Sequence, residues 1–322
     1  PNVLGGYGAM TAISGSGSEL QYNNRGGFVS IGEVTSIDDP RARETHDVTP
    51  LAATAAQQNI AGMRSSDVRV GYNWIADLYS GAVAGTDLIA QMVARTTLDW
   101  RRLWPSGLTE DFRAFIGELT LDVTAKEPVT SELNLIVVEQ TASGTTDGLH
   151  DRQNTGTPTD PTSVAVIGKG LELRASNTSS TTPIIIAEPR RFRLVLGLTG
   201  TPDVTHLQSA VIERIPALLT IRCEIEVNLQ TAAVASKASH WPETGSDAQP
   251  SLYEIYKSGK KTKFQVGFQN EAGTGVGPDV VLWTFNGIIE NAAPTSVPGE
   301  ALTATFSVVG DGTLTEATEA KT

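Results

Sequence analysis

Apolar and polar residues alternate along most of this chain, and a period of two predicts strands rather than helices. Around Asn23-Asn24 and Gly26-Gly27, residues 18–37 put Phe28, Ser30 and Gly32 on one face and Val29, Ile31 and Glu33 on the other. That predicts a hairpin or a pair of strands. Alternation stops at the charged turn Asp38-Asp39-Pro40-Arg41-Ala42-Arg43-Glu44. Residues 38–62 read as a long excursion, with room for one helical turn in the Ala/Gln-rich stretch Ala52 to Gln58; long loops of this kind are often functional. Val68, Val70, Tyr72 and Trp74 then share the face of a strand at 67–75.

A helical stripe follows, Leu88, Ile89, Met92 and Val93, with Gly85 or Thr86 placed to cap it. Strands are expected at 98–103, 112–123 and 133–138, separated by Pro105-Ser106-Gly107 and Pro128. The second half runs in the same order: strands at 164–175, 184–199 and 218–230, then a helix, then strands near 264–268, 280–290 and 301–309. That helix has Pro250 in its first turn, Leu252, Ile255 and Tyr256 as its stripe, and Gly259 at its end.

The two halves also share short motifs in one order. Gly15-Ser16-Gly17-Ser18-Glu19-Leu20 returns as Gly168-Lys169-Gly170-Leu171-Glu172-Leu173. Asp47-Val48-Thr49-Pro50-Leu51 returns as Asp203-Val204-Thr205-His206-Leu207. Val68-Arg69-Val70 returns as Ile221-Arg222-Cys223, Phe115-Ile116-Gly117 as Phe285-Asn286-Gly287, and Val129 to Glu132 as Val297 to Glu300. A repeat of this length is a copied domain and not a solenoid unit. The expected organisation is an arm at 1–14, a domain at 15–139, a linker at 140–163, a second domain at 164–310 and a polar, frayed tail at 311–322. Each domain is expected to be α+β, mainly β: an antiparallel sandwich or open barrel with one flanking helix.

Composition narrows the function. The 322 residues carry 24 Lys and Arg against 36 Asp and Glu, a net charge of −12. Tight nucleic-acid binding calls for basic stripes and is disfavoured. The only cysteine, Cys223, lies in an alternating run and reads as a core residue. The N-terminus lacks a signal-peptide pattern, and no stretch approaches the roughly 20 apolar residues of a membrane helix. His46, His150, His206 and His240 are scattered without metal-ligand spacing. Gly273-Thr274-Gly275-Val276-Gly277 joins two predicted strands and lacks the following helix that a phosphate loop needs, so it reads as a hairpin tip. Glu224 and Glu226 share a strand face, which reads as solvated or pore-facing rather than catalytic. No cofactor, metal site or catalytic constellation is expected. Basic clusters at Arg101-Arg102, Arg190-Arg191 with Arg193, and Lys257 with Lys260, Lys261 and Lys263 are expected to meet acidic patches on neighbouring subunits.

The order of elements resembles the tail tube domain of long-tailed bacteriophages, a fold shared with type VI secretion tubes. The residues that carry it are the Asp-Val-Thr-x-Leu segments 47–51 and 203–207, the strand Val68 to Trp74, the helix, and the Phe-x-Gly strands at 115–117 and 285–287 with their Val-x-x-Glu turns. The resemblance covers most of 15–139 and 164–310. It implies a structural protein and not an enzyme, in which two domains per chain let three copies form a pseudo-hexameric ring. Stacked rings would make a hollow virion tail tube, assembled in the host bacterial cytoplasm, through which double-stranded DNA passes at genome ejection without specific binding. It further implies tape measure, tail terminator and baseplate partners. Asp47, Val48, Thr49, Leu51, Asp203, Val204, Thr205 and Leu207 become candidates for ring stacking. Phe115, Gly117, Phe285 and Gly287 become the core signature, and Glu224 and Glu226 candidates for the lumen. The alternatives are a tube of a type VI secretion or contractile injection particle, or a two-domain β-rich binding module or enzyme.

Overall fold

Backbone pairing between antiparallel strands builds this chain, with helices as minor additions. The computed structural model describes residues 18–23, 27–47, 59–74, 88–104, 107, 109–138, 151–153, 169–176, 183–186, 189–200, 215, 218–228, 251–270, 279–298, 300–311 and 313–320. The first half contains β1 (Glu19–Asn23), β2 (Phe28–Ser30), β3 (Glu33–Asp38), β4 (Arg41–Asp47), β5 (Asn59–Asn73), α1 (Leu88–Val93), β6 (Leu98–Leu103), β7 (Thr109–Thr124), β8 (Thr130–Val138) and β9 (Asp151–Gln153). The second contains β10 (Lys169–Ala175), β11 (Ile184–Ile186), β12 (Pro189–Thr199), β13 (Leu218–Asn228), α2 (Leu252–Ser258), β14 (Thr262–Asn270), β15 (Asp279–Thr295), β16 (Thr303–Gly310) and β17 (Thr315–Ala320). This is the expected β-rich α+β class.

Apart from β4, the described strands of one half repeat in the other. The pairings β1–β2, β1–β6, β3–β5, β5–β8, β6–β7, β7–β8 and β7–β9 reappear as β10–β11, β10–β14, β12–β13, β13–β16, β14–β15, β15–β16 and β15–β17. Irregularities repeat too. The bulge of β3, between Val34 and Ser36, recurs in β12 between Pro189 and Arg191. The bulge of β7 at Gly117 recurs in β15 at Glu290. A bulge inserts one unpaired residue and so marks register. Matching bulges makes Ser36 equivalent to Arg191, Asp38 to Arg193, Glu118 to Asn291 and Asp122 to Thr295. The strands between agree: Ser36 faces Gly71, which faces Glu132, while Arg191 faces Glu226, which faces Thr305.

Among the described residues one strand pairing joins the halves. Residues Glu118–Thr124 of β7 pair antiparallel with Arg191–Gly197 of β12. A continuous sheet results, in the order β3–β5–β8–β7–β12–β13–β16–β15. One of its faces is apolar: Val68, Val70, Leu133, Leu119, Leu121, Phe192, Leu194, Ile221, Ile225 and Phe306 are all buried. The core continues beneath them through Trp100, Phe112, Phe264, Phe268, Trp283 and Phe285. Each helix closes its own half by burying a short stripe, Leu88, Ile89 and Met92 in α1, Leu252 and Ile255 in α2. Helix α2 starts where the Ser251 hydroxyl accepts the Tyr253 N–H. It stops at Gly259, whose φ of 60° suits glycine and whose N–H donates to the Tyr256 carbonyl. Ser251 is the cap; Pro250, expected in the first turn, lies outside the described residues.

The structure departs from the sequence reading where pairing does not need an apolar face. Residues 18–37 make three strands and not two. The 38–62 excursion includes β4, hydrogen-bonded to residues Asn59–Ser66 of β5; the stretch 52–58 lies outside the described residues. Such a two-stranded ribbon is held by its ladder, so it leaves no hydrophobic alternation to detect. For the same reason the linker contains β9, paired with Thr109–Asp111, and the tail contains β17, paired with Asp279–Thr284.

Candidate functional site

The outer face of the eight-stranded sheet is polar, and its composition follows from the alternation that buries the other side. In β13, Thr220, Arg222 and Glu224 are exposed between the buried Ile221, Cys223 and Ile225. Glu226 continues that row, half-buried. Glu118, Asp122 and Glu132 lie on the same face from β7 and β8, with Asp38 and Arg69 from β3 and β5. A depression of ≈ 410 Å³ opens here, lined by Ser36, Asp38, Arg69, Glu118, Glu132 and Asn134 among others.

Charges on this face are interleaved and not uniformly acidic. At the joint, Arg193 stands opposite Asp122 on one side and Glu224 on the other; Arg191 stands opposite Glu226. The Arg191 guanidinium forms a two-pronged hydrogen-bonded ion pair with Asp122, one prong at 2.8 Å. Asp122 holds the Arg191 guanidinium above its ordinary pKa through those hydrogen bonds, and Glu224 and Glu226 add to the effect through their charge. Arg190 contacts Glu226 at 3.5 Å. Of the basic residues expected to meet acidic patches on neighbouring subunits, Arg191 finds its partner inside the chain across the joint, and Arg190 finds Glu226 within the second half. Sequence reasoning missed Asp122 and the joint itself, because a pairing between halves leaves no local pattern.

The remaining sequence-derived residues fall in three groups. Glu224 and Glu226 are on the polar face, as a pore-facing role requires. Asp47 ends β4 opposite Asn59; Val48, Thr49, Leu51, Asp203, Val204, Thr205 and Leu207 lie outside the described residues. Phe115 and Phe285 are both buried, 1% and 2% exposed, yet they are not equivalent. The ladders place Phe112 opposite Trp100 and Phe285 opposite Phe264, so Phe285 matches Phe112 and Phe115 matches Ile288. The glycines differ likewise. Gly117 is the bulge, where a Cβ would come 2.7 Å from the movable end of Ile136. At Gly287 a Cβ would meet Val308 at 2.7 Å and the Val309 carbonyl oxygen at 2.8 Å, which backbone cannot avoid. Val129 is buried while Val297 is 45% exposed, and β8 aligns with β16 so that Thr130 matches Thr303. The Val-x-x-Glu correspondence is therefore out of register.

Among the described residues no group of His, Cys, Asp and Glu is arranged to hold a metal ion, and no helix is long and apolar enough to cross a membrane. Cys223 is buried, which pushes its thiol pKa up and away from nucleophilic use.

No family model matches the chain, and no curated protein matches it. Solved structures do. A chain from the tail of an empty GTA particle with C6 symmetry is 16% identical, with 46% of this chain and 95% of that chain covered and a TM-score of 0.34. The SPP1 tail tube is 13% identical, with 48% of this chain and 80% of that chain covered and a TM-score of 0.35.

Proposed function

We propose that this chain is the self-assembling subunit of a tail tube, with two copies of one tube domain in tandem. Three copies close a pseudo-hexameric ring, and rings stack into a hollow tube that conducts double-stranded DNA. The observation that carries this reading is the β7–β12 joint. It pairs an edge of the first half with an edge of the second, and the equivalent edges, β15 and β3, have no strand beside them among the described residues. A molecule whose two ends repeat its own internal joint is built to add to itself, and closure removes the exposed edges.

Size follows from strand number. Three copies of eight strands give twenty-four. At a spacing of about 4.8 Å and tilts of about 35–45° the barrel backbone is roughly 45–52 Å across. Barrels of about sixteen strands or more leave an open channel. The polar face lines that channel in this reading. Its paired charges offer a duplex neither a basic stripe to bind nor a fully acidic wall, because each guanidinium at the joint is matched by carboxylates. Tape measure and terminator proteins are the partners such a tube requires.

Electron microscopy of the purified chain tests the reading. Rings and long hollow tubes with three-fold or six-fold end views are expected. A monodisperse monomer at high concentration would overturn it. Deleting residues 41–58, which removes β4, is expected to leave soluble rings or monomers without tubes; normal tubes from that variant would exclude this segment from ring stacking.

A further inference from the structure

The joint inside the chain specifies the seam between chains, residue by residue. We propose that the open edge of β15 in one copy pairs antiparallel with the open edge of β3 in a second copy, with Thr295 opposite Asp38 and Val297 opposite Ser36. The proposal rests on the tube reading above and takes its register from β7 and β12, where Asp122 faces Arg193 and Thr124 faces Arg191. Bulge matching carries those pairs onto Thr295 with Asp38 and Val297 with Ser36.

Exposure differs between the filled and the open edges in the direction this seam requires. Leu119, Leu121, Phe192, Leu194 and Leu196 at the joint are all buried. On the open edge, Pro294 and Ser296 are exposed and Ala292 is half-buried, where the equivalent Leu121, Val123 and Leu119 are buried. Val297, placed opposite Ser36, is 45% exposed. A second copy of this chain is the occupant that fits. Its β3 already has the shape of β12, including the bulge, and it presents Val34 and Ile37 half-buried beside an open ladder.

The two seams differ in chemistry. The joint carries the Arg191–Asp122 ion pair and the Asp122–Arg193–Glu224 row. The seam between copies sets Asp38 against the neutral Thr295. It also sets Asp39 opposite Pro294 and Pro40 opposite Ala293. In an antiparallel ladder adjacent cross-strand pairs alternate between hydrogen-bonded and non-hydrogen-bonded. One of these two prolines therefore falls in a hydrogen-bonded pair, and the seam lacks one N–H that β7–β12 has. Prolines on open edges also discourage pairing with the wrong strand. The inter-chain seam is thus held by backbone bonds and apolar burial, without the ion pairs of the joint.

Disulfide trapping tests the register. Directly opposed strand residues have Cβ atoms about 4.5–5.5 Å apart, close to disulfide geometry, whereas a two-residue offset puts them about 7–8 Å apart. The variant Asp38→Cys with Thr295→Cys, oxidised with dioxygen as the acceptor of both electrons and protons, should give covalent trimers on a denaturing gel. Asp38→Cys with Ala293→Cys, and each single variant, should not. The native Cys223 is buried and adds no background. Rings seen by microscopy without 38–295 cross-links would overturn the seam and leave the tube reading standing. A parent chain that remains monomeric would end both. A second variant checks the chemistry: Asp38→Arg with Thr295→Asp rebuilds the joint's charges, and its rings should resist dilution better than parent rings at about 0.05 M salt and lose that margin by about 0.5 M, while parent rings change little over the same range. Equal salt response of variant and parent would also overturn the proposed register.

Discussion

Replacing Arg102 by methionine is expected to destabilise the chain by about 3–5 kcal/mol, as loss of a buried cation from an ionic cluster does. Arg102 is 3% exposed; it reaches Asp39 at 2.8 Å and Glu110 at 3.9 Å, and both carboxylates are themselves nearly inaccessible. Methionine keeps the volume and the contact with Trp104, over whose ring the guanidinium sits at 4.8 Å. It removes the charge that compensates two desolvated carboxylates. Its neighbour supplies the contrast. Arg101 pairs with Asp111 at 2.7 Å in a partly exposed setting, 30% and 17%, so Arg101→Met should cost no more than about 1 kcal/mol. Urea unfolding of both variants decides the matter, and equal losses would refute the account. The larger loss also has a place: Asp39 lies between β3 and β4, so Arg102 fixes both the edge offered to the next copy and the root of the β4–β5 ribbon.

Phe285→Ala and Phe115→Ala are each expected to lower stability by about 3–5 kcal/mol, the range for a buried aromatic that leaves a cavity. Phe285 stacks on Phe264 with ring centroids 5.9 Å apart, across the β14–β15 ladder. Phe115 faces Ile136 on β8. Because the halves share the β7–β12 ladder, each lesion should be felt through the joint as well as in its own half. Calorimetry reads both effects, and unchanged melting in either variant would show that the ring is not a core contact.

Much of this fold was legible because one face of most strands is buried. Val68, Val70 and Tyr72, or Ile221, Cys223 and Ile225, announce their strands by alternation alone. The pair Glu19-Leu20 and Glu172-Leu173 announced the repeat in its true register, since Glu19 faces Leu103 as Glu172 faces the equivalent Gly267. The Phe-x-Gly motif misled for a physical reason. Phe115 is buried beside Ile136 on the opposite face from Ala114 and Ile116, outside the main core, and the bulge at Gly117 has no glycine at its counterpart Glu290, so the motif and the register part company there. Strands β4, β9 and β17 were invisible because their ladders do not depend on an apolar face. Of the candidate surface, Glu224 and Glu226 could be placed by parity. Asp122, the partner that gives the arginines of β12 their role, could not, since it lies 69 residues from Arg191.

That separation sets a timetable for synthesis. At roughly 5–20 residues per second, the β7 edge leaves the ribosome some 3–14 s before the β12 that will cover it. During that interval the nascent chain displays a finished template, and chains following on the same message carry the same one. Glu118 and Asp122, both on that edge, give it like charge against an identical neighbour, while the arginines that neutralise it have not yet been made. The strand thus repels its own kind until its intended mate arrives.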